Sequence, residues 1–201
     1  VNTAGLTAGP VTITSGGAIT QAQPITATTL TAKTLNNAGA AITLTDVNND
    51  ADTVDLRARN GADGADASGV IQYVDADGFD VAQVRTDSTA SLTATAGTIT
   101  DSGTITCTTL TTSSTTGTDL DFGHTVTGFT ATNTGSNPIA LVNTASPLTI
   151  PAAGITQASG ETVDIDNTGA LVVTGDINAG TGTVDLDTLG AGVLTGGGTV
   201  T

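Results

Sequence analysis

Gly97-Thr98-Ile99-Thr100-Asp101-Ser102-Gly103-Thr104-Ile105-Thr106-Cys107-Thr108-Thr109-Leu110-Thr111 repeats a stretch met eighty positions earlier, Gly17-Ala18-Ile19-Thr20-Gln21-Ala22-Gln23-Pro24-Ile25-Thr26-Ala27-Thr28-Thr29-Leu30-Thr31, with nine of fifteen residues identical and no gap. A weaker third copy opens at Gly154-Ile155-Thr156-Gln157-Ala158. The spacing divides the 201 residues into one segment (1–201) with an internal repeat of about 80 residues: 17–96, 97–153 and a partial 154–201. Repetition on this scale marks a chain whose units bury their apolar faces against one another.

Shorter units run through each repeat. Val11-Thr12-Ile13, Ile42-Thr43-Leu44, Val54-Asp55-Leu56, Leu92-Thr93-Ala94, Val163-Asp164-Ile165 and Val184-Asp185-Leu186 alternate apolar with polar. On an extended backbone, period two sends every apolar side chain to one face. Gly, Asn, Asp or Ser separates most of these runs, as turns require. The straight-chain helix formers are nearly missing, with Glu161 and Lys33 alone of their kinds, while β-branched Thr, Val and Ile abound. The chain is therefore all-β.

Aromatic residues make up 2% of the chain, so its core must be thin and aliphatic. Short strands, small inward residues and a long-range repeat predict a parallel β-solenoid, in which each turn of chain stacks on the last. At roughly 20 residues per coil this gives about ten coils. With strands ~4.8 Å apart, the rod is on the order of 50 Å long. The alternative is a β-sandwich fibre subunit, which permits the same alternation but predicts no repeat.

Nineteen acidic residues against four basic give a formal charge of −15. Lys33, Arg57, Arg59 and Arg85 are too few to neutralise a phosphate backbone or an anionic membrane, which argues against nucleic acid and lipid partners. No stretch approaches the ~20 apolar residues of a membrane span, so membrane insertion is not expected. Cys107 has no partner for a disulfide and keeps phase with Ile105, which makes it a small buried hydrophobe.

Ten of the eighteen Asp lie between Asp46 and Asp87. Asp46, Asn48, Asp50 and Asp52 place oxygens at alternate positions, as calcium-binding loops do, and Asp75, Asp77 and Asp80 form a second, shorter candidate. The first departs from the calcium-loop pattern at Ala51, where Gly is expected, and at Arg57, where Glu is expected. Calcium is the one cofactor the sequence suggests; the competing reading is a pair of solvated turns. His124, in Asp121-Phe122-Gly123-His124-Thr125, has no second ligand nearby in sequence and reads as a surface or loop histidine. Arg57, Arg59 and Arg85 could gather near Asp55 and Asp87, as surface ion pairs do. No nucleophile context is present, so no catalytic residue is assigned and an enzyme is not expected.

The pattern Gly-x-Ile-Thr-x-x-Gly-x-Ile-Thr-x-Thr-x-Leu-Thr, clean at residues 97–111, resembles repeats of large bacterial exoproteins of the filamentous-haemagglutinin and autotransporter-adhesin type. Residues 48–56 and 70–84 look like the segments between such motifs. The resemblance implies a right-handed parallel β-helix, exported and displayed on the bacterial surface or secreted. It implies a structural or adhesive role: a stalk segment of a surface fibre or adhesin, or alternatively a self-assembling subunit of an extracellular filament or sheath. Partners would be the chain itself or neighbouring repeats end to end, with surface glycans or other cells met by loops such as 60–69. The chain opens in mid-pattern at Val1-Asn2-Thr3 and ends Gly196-Gly197-Gly198-Thr199-Val200-Thr201 without an evident cap, which suits a fragment or a stacking subunit.

Overall fold

A computed structural model describes residues 5–201, so the opening Val1-Asn2-Thr3 lies outside the described residues. Among the described residues, nineteen strands and no helix wind into about nine coils. The first coil holds β1 (Leu6–Ser15) and β2 (Ile19–Thr20), the second β3 (Ile25–Leu35) and β4 (Ile42–Leu44), the third β5 (Asp50–Arg59) and β6 (Ile71–Asp75). The fourth holds β7 (Phe79–Arg85) and β8 (Thr89–Ala94). β9 (Ile99–Asp101) and the long β10 (Ile105–Ser114) make the fifth, and β11 (Thr118–Asn133) alone spans the sixth. Three further coils follow: β12 (Ile139–Asn143), β13 (Leu148–Ile150) and β14 (Ile155–Gln157); β15 (Val163–Thr168), β16 (Leu171–Val173) and β17 (Ile177–Asn178); β18 (Val184–Leu189) and β19 (Leu194–Gly196).

Every pairing between these strands is parallel and joins one coil to the next. One face runs β1, β3, β5, β7, β9 with the start of β10, β11, β12, β15 and β18. The other runs from β2 through β4, β6, β8, the ends of β10 and β11, and then splits into β13 with β14 and β16 with β17. Nine rungs at ~4.8 Å make a rod about 40 Å long, slightly shorter than the sequence suggested. The β-sandwich alternative is excluded by this coiled path. Coil length varies, from the short step Leu6 to Ile25 to the long one Ile42 to Ile71, because the 60–69 loop is inserted in the third coil.

Between the two faces lie columns of aliphatic side chains. Leu30, Val54 and Val81 stack in register, and Leu120, Leu141 and Ile165 continue the same column further along. Ile19, Ile25, Ile99 and Ile105 all point inward and are buried. Tyr73 and Phe79 are buried in this interior and pack edge to face, with centroids 5.0 Å apart. Cys107 is buried in this interior, and burial pushes its thiol up to about 12.

The two copies of the fifteen-residue motif occupy different places around the coil. Leu30 pairs with Val54 on the first face, whereas its counterpart Leu110 pairs with Ala90 on the second. What recurs is a local strand–turn–strand pattern that serves either part of the coil.

Candidate functional site

The two aspartate groups proposed for calcium are placed as follows. Asp46 sits in the turn between β4 and β5, where its Oδ1 accepts from the backbone N–H and the Nδ2 of Asn48, both at 3.0 Å. Asp50 and Asp52 are exposed on β5. The turn is organised by Asn49, a residue the alternating pattern skipped. It is fully buried, accepts from Ile25 N at 2.9 Å and Gln21 Nε2 at 2.7 Å, and donates to Leu44 and Val74 carbonyls. Asp75 is likewise buried and accepts from the Tyr73 hydroxyl, from Ala51 N at 3.0 Å and from Asp77 N at 3.2 Å. Burial pushes its carboxyl up to about 6 against the pull of those donors. Asp77 accepts from Gly78 N, and Asp80 takes the Ser102 hydroxyl at 2.6 Å. Among the described residues, no three or more His, Cys, Asp or Glu gather as a metal-ligand group.

All four cations of the chain share one patch. Lys33, Arg57 and Arg85 form an outward column in register across β3, β5 and β7, and Arg59 lies beside it. Asp66 bridges Arg59 and Arg85, the latter at 3.0 Å, while Asp63 holds Lys33 at 2.6 Å and Arg59 at 3.1 Å. Arg57 pairs with Asp55. The arginines thus gather with Asp55, Asp63 and Asp66, and each cation is engaged in pinning the 60–69 loop or its own strand. Hydrogen bonds from Lys33 and Arg59 hold the Asp63 carboxyl below its ordinary value.

The most unusual chemistry lies inside the rod. His124, expected at the surface, is fully buried. The reason is register: counting back by twos from buried Val126 turns the histidine inward, opposite Ile105 below and Asn143 above. Asp101 is also turned inward, level with Val81 in the otherwise aliphatic column, and its side chain is 1% exposed. Asp101 Oδ1 accepts from Asp121 N at 2.9 Å and Oδ2 from Phe122 N at 3.1 Å. His124 Nδ1 accepts from Ile105 N at 3.0 Å. A neutral imidazole must then carry its proton on Nε2, which lies 3.5 Å from Asp101 Oδ2 and has no hydrogen-bond partner.

Desolvation sets both titrations. Burial lowers His124 to about 4, opposed by the Leu120 carbonyl and the charge of Asp121. Burial raises Asp101 to about 6, opposed by the two amides it accepts from. At neutral pH the site holds a neutral histidine and an ionised carboxylate, with two backbone N–H groups donating to that carboxylate and the unpartnered His124 Nε2 beside it. Both side chains are closed off from solvent, so the chemistry open to them in this conformation is the exchange of a proton. The signal for the pair was present in the alternation Ile99-Thr100-Asp101 and His124-Thr125-Val126.

Above His124 the polar interior continues. Asn143 Nδ2 donates to Asn167 Oδ1 at 2.9 Å, and each amide also bonds the backbone beside it. Such stacked amides satisfy one another along the axis of a parallel coil.

Coils, faces and interior together define a class, the parallel β-solenoids with a mixed aliphatic and polar interior. No protein-family model, curated protein or solved structure matches the chain.

Proposed function

We propose that this chain is a stiff segment of a secreted bacterial surface fibre or adhesin stalk, whose work is mechanical. The observation that carries the reading is the unbroken parallel ladder, in which every coil is hydrogen-bonded to the next along one axis from β1 to β18. Tension along such a rod is shared by many backbone hydrogen bonds, and stability is distributed coil by coil. The excess of acid supports it too, since mutual repulsion keeps a long Thr-rich β surface from pairing edge to edge. The 60–69 loop, fixed by its ion pairs, is the candidate contact for glycans or other cells.

A filament subunit is the second reading, since coils paired along one axis can offer the same parallel ladder to another copy as to the next coil. Electron microscopy across a concentration series separates the two: single short rods at all concentrations support the stalk, and fibres that lengthen with concentration support the subunit. Antibody raised against the 60–69 loop should label intact producing cells or their medium. Antigen found only after lysis would overturn both readings.

A further inference from the structure

β11 departs from its neighbour β12 at one place. Leu120 pairs with Leu141, but the next paired residue is His124 with Asn143, so the intervening chain bulges outward. Gly123 makes the turn possible with a φ of +81°, a left-handed conformation that a side chain would strain. The bulge carries Phe122, the one exposed aromatic ring among the described residues, at 57% exposure. Its backbone is held from inside, because both oxygens of Asp101 reach through the wall to the amides of Asp121 and Phe122.

We propose that Asp101 and His124 form a proton-operated latch for the bulge at 121–123: the ionised carboxylate holds the bulge and Phe122 in place, and protonation of that carboxylate frees them. Three features of the geometry support it. An ionised carboxylate is an acceptor only, and it places one oxygen on each of the Asp121 and Phe122 amides; adding a proton removes the charge that strengthens both bonds and makes one oxygen a donor. The histidine tautomer is fixed by Ile105 N, so the ring cannot turn its other nitrogen to receive that proton. And the position is one that aliphatic side chains fill elsewhere in the column, as Val81, Leu141 and Ile165 do, so packing alone does not call for an acid.

The charged groups on the strands around the pair are few. β7 brings Asp80, bonded to Ser102, and Arg85, paired to Asp66; β11 brings Asp119 and Asp121; β8, β10 and β12 bring none. Burial, and after it the Asp121 and Asp119 charges, favour the protonated acid, so mild acid is where release falls.

Amide hydrogen exchange by NMR tests the latch, with each rate corrected for its intrinsic pH dependence. Loss of a charge-assisted hydrogen bond should lower the protection of the Asp121 and Phe122 amides about tenfold or more between about pH 7.5 and pH 5. Ile165 and Leu141 amides should stay protected throughout. Asp101→Asn should show the low value at both pH values. Unchanged protection at low pH would overturn the proposal, and so would a parallel loss at Ile165, which would mean general loosening. Should that variant not fold, the unaltered chain still decides. The Asp101 carboxyl carbon and the Phe122 amide should titrate with one midpoint, and separate midpoints would contradict a latch.

Discussion

Asp101 and His124 pull the pH dependence of folding in opposite directions. A carboxyl raised from 3.8 to about 6 takes up its proton in the folded chain first, so its contribution is largest in acid and is lost as pH rises through 6. A histidine lowered from 6.5 to about 4 is protonated first in the unfolded chain, so it costs stability as pH falls from 6.5 towards 4. The two cancel over most of that window, which leaves Asp75, also raised to about 6, as a source of gain on acidification. Urea midpoints at about pH 7 and pH 4.5 should therefore rank three chains. His124→Asn should gain most on going to the lower pH, the unaltered chain less, and Asp101→Asn least. A larger gain in Asp101→Asn than in the unaltered chain would mean that the signs assigned here are wrong. Cys107 was legible from its phase with Ile105. His124 was not, because its lack of partners in sequence points to the surface while its alternation with Val126 turns it inward.

The strands themselves were legible to a useful degree. Each of the six alternating triplets lies within one strand, from Val11–Ile13 in β1 to Val184–Leu186 in β18. What alternation cannot show is which polar residues turn inward at the coil corners, since Asn49 and Asn167 look like ordinary turn or surface residues. Asn167 accepts from Ala145 N at 3.2 Å and donates to the Ala145 and Ala170 carbonyls at 2.9 Å. Asn167→Ala strands those groups inside the rod and should cost about 1–3 kcal/mol in denaturant unfolding, where an outward Thr→Ala on the same strand costs little. On the outer surface of β15 and β18, Asp164 stacks on Asp185 and Asp166 on Asp187. Partial burial and then the charges of its three neighbours raise the Asp164 carboxyl. Asp187→Asn should therefore raise the melting temperature in low salt, and the gain should shrink in about 1 M salt, where charges are screened within ~3 Å.

At the scale of the whole molecule, the repeat pointed to stacking although its period does not mark equivalent places on the coil. A strand–turn–strand pattern of Thr and aliphatics satisfies either face, so sequence similarity follows local structure and the insertions decide where each copy falls. The thin core makes each layer count: Phe129→Ala should cost about 3–5 kcal/mol, with the largest loss of amide protection in the coils next to β11. The calcium reading also belongs at this scale, because a metal that binds the folded chain alone raises its global stability. A melting temperature equal in chelator and in millimolar calcium would set it aside.

Stacking of successive coils in register is most directly tested by distances along one outer column. Spin labels placed at Thr31 and Val142, and at Thr31 and Asp187, in a chain with Cys107→Ala, sit five and seven rungs apart on the first face. At ~4.8 Å per rung the backbone separations should be about 24 Å and about 34 Å. A second distance no longer than the first would contradict the solenoid.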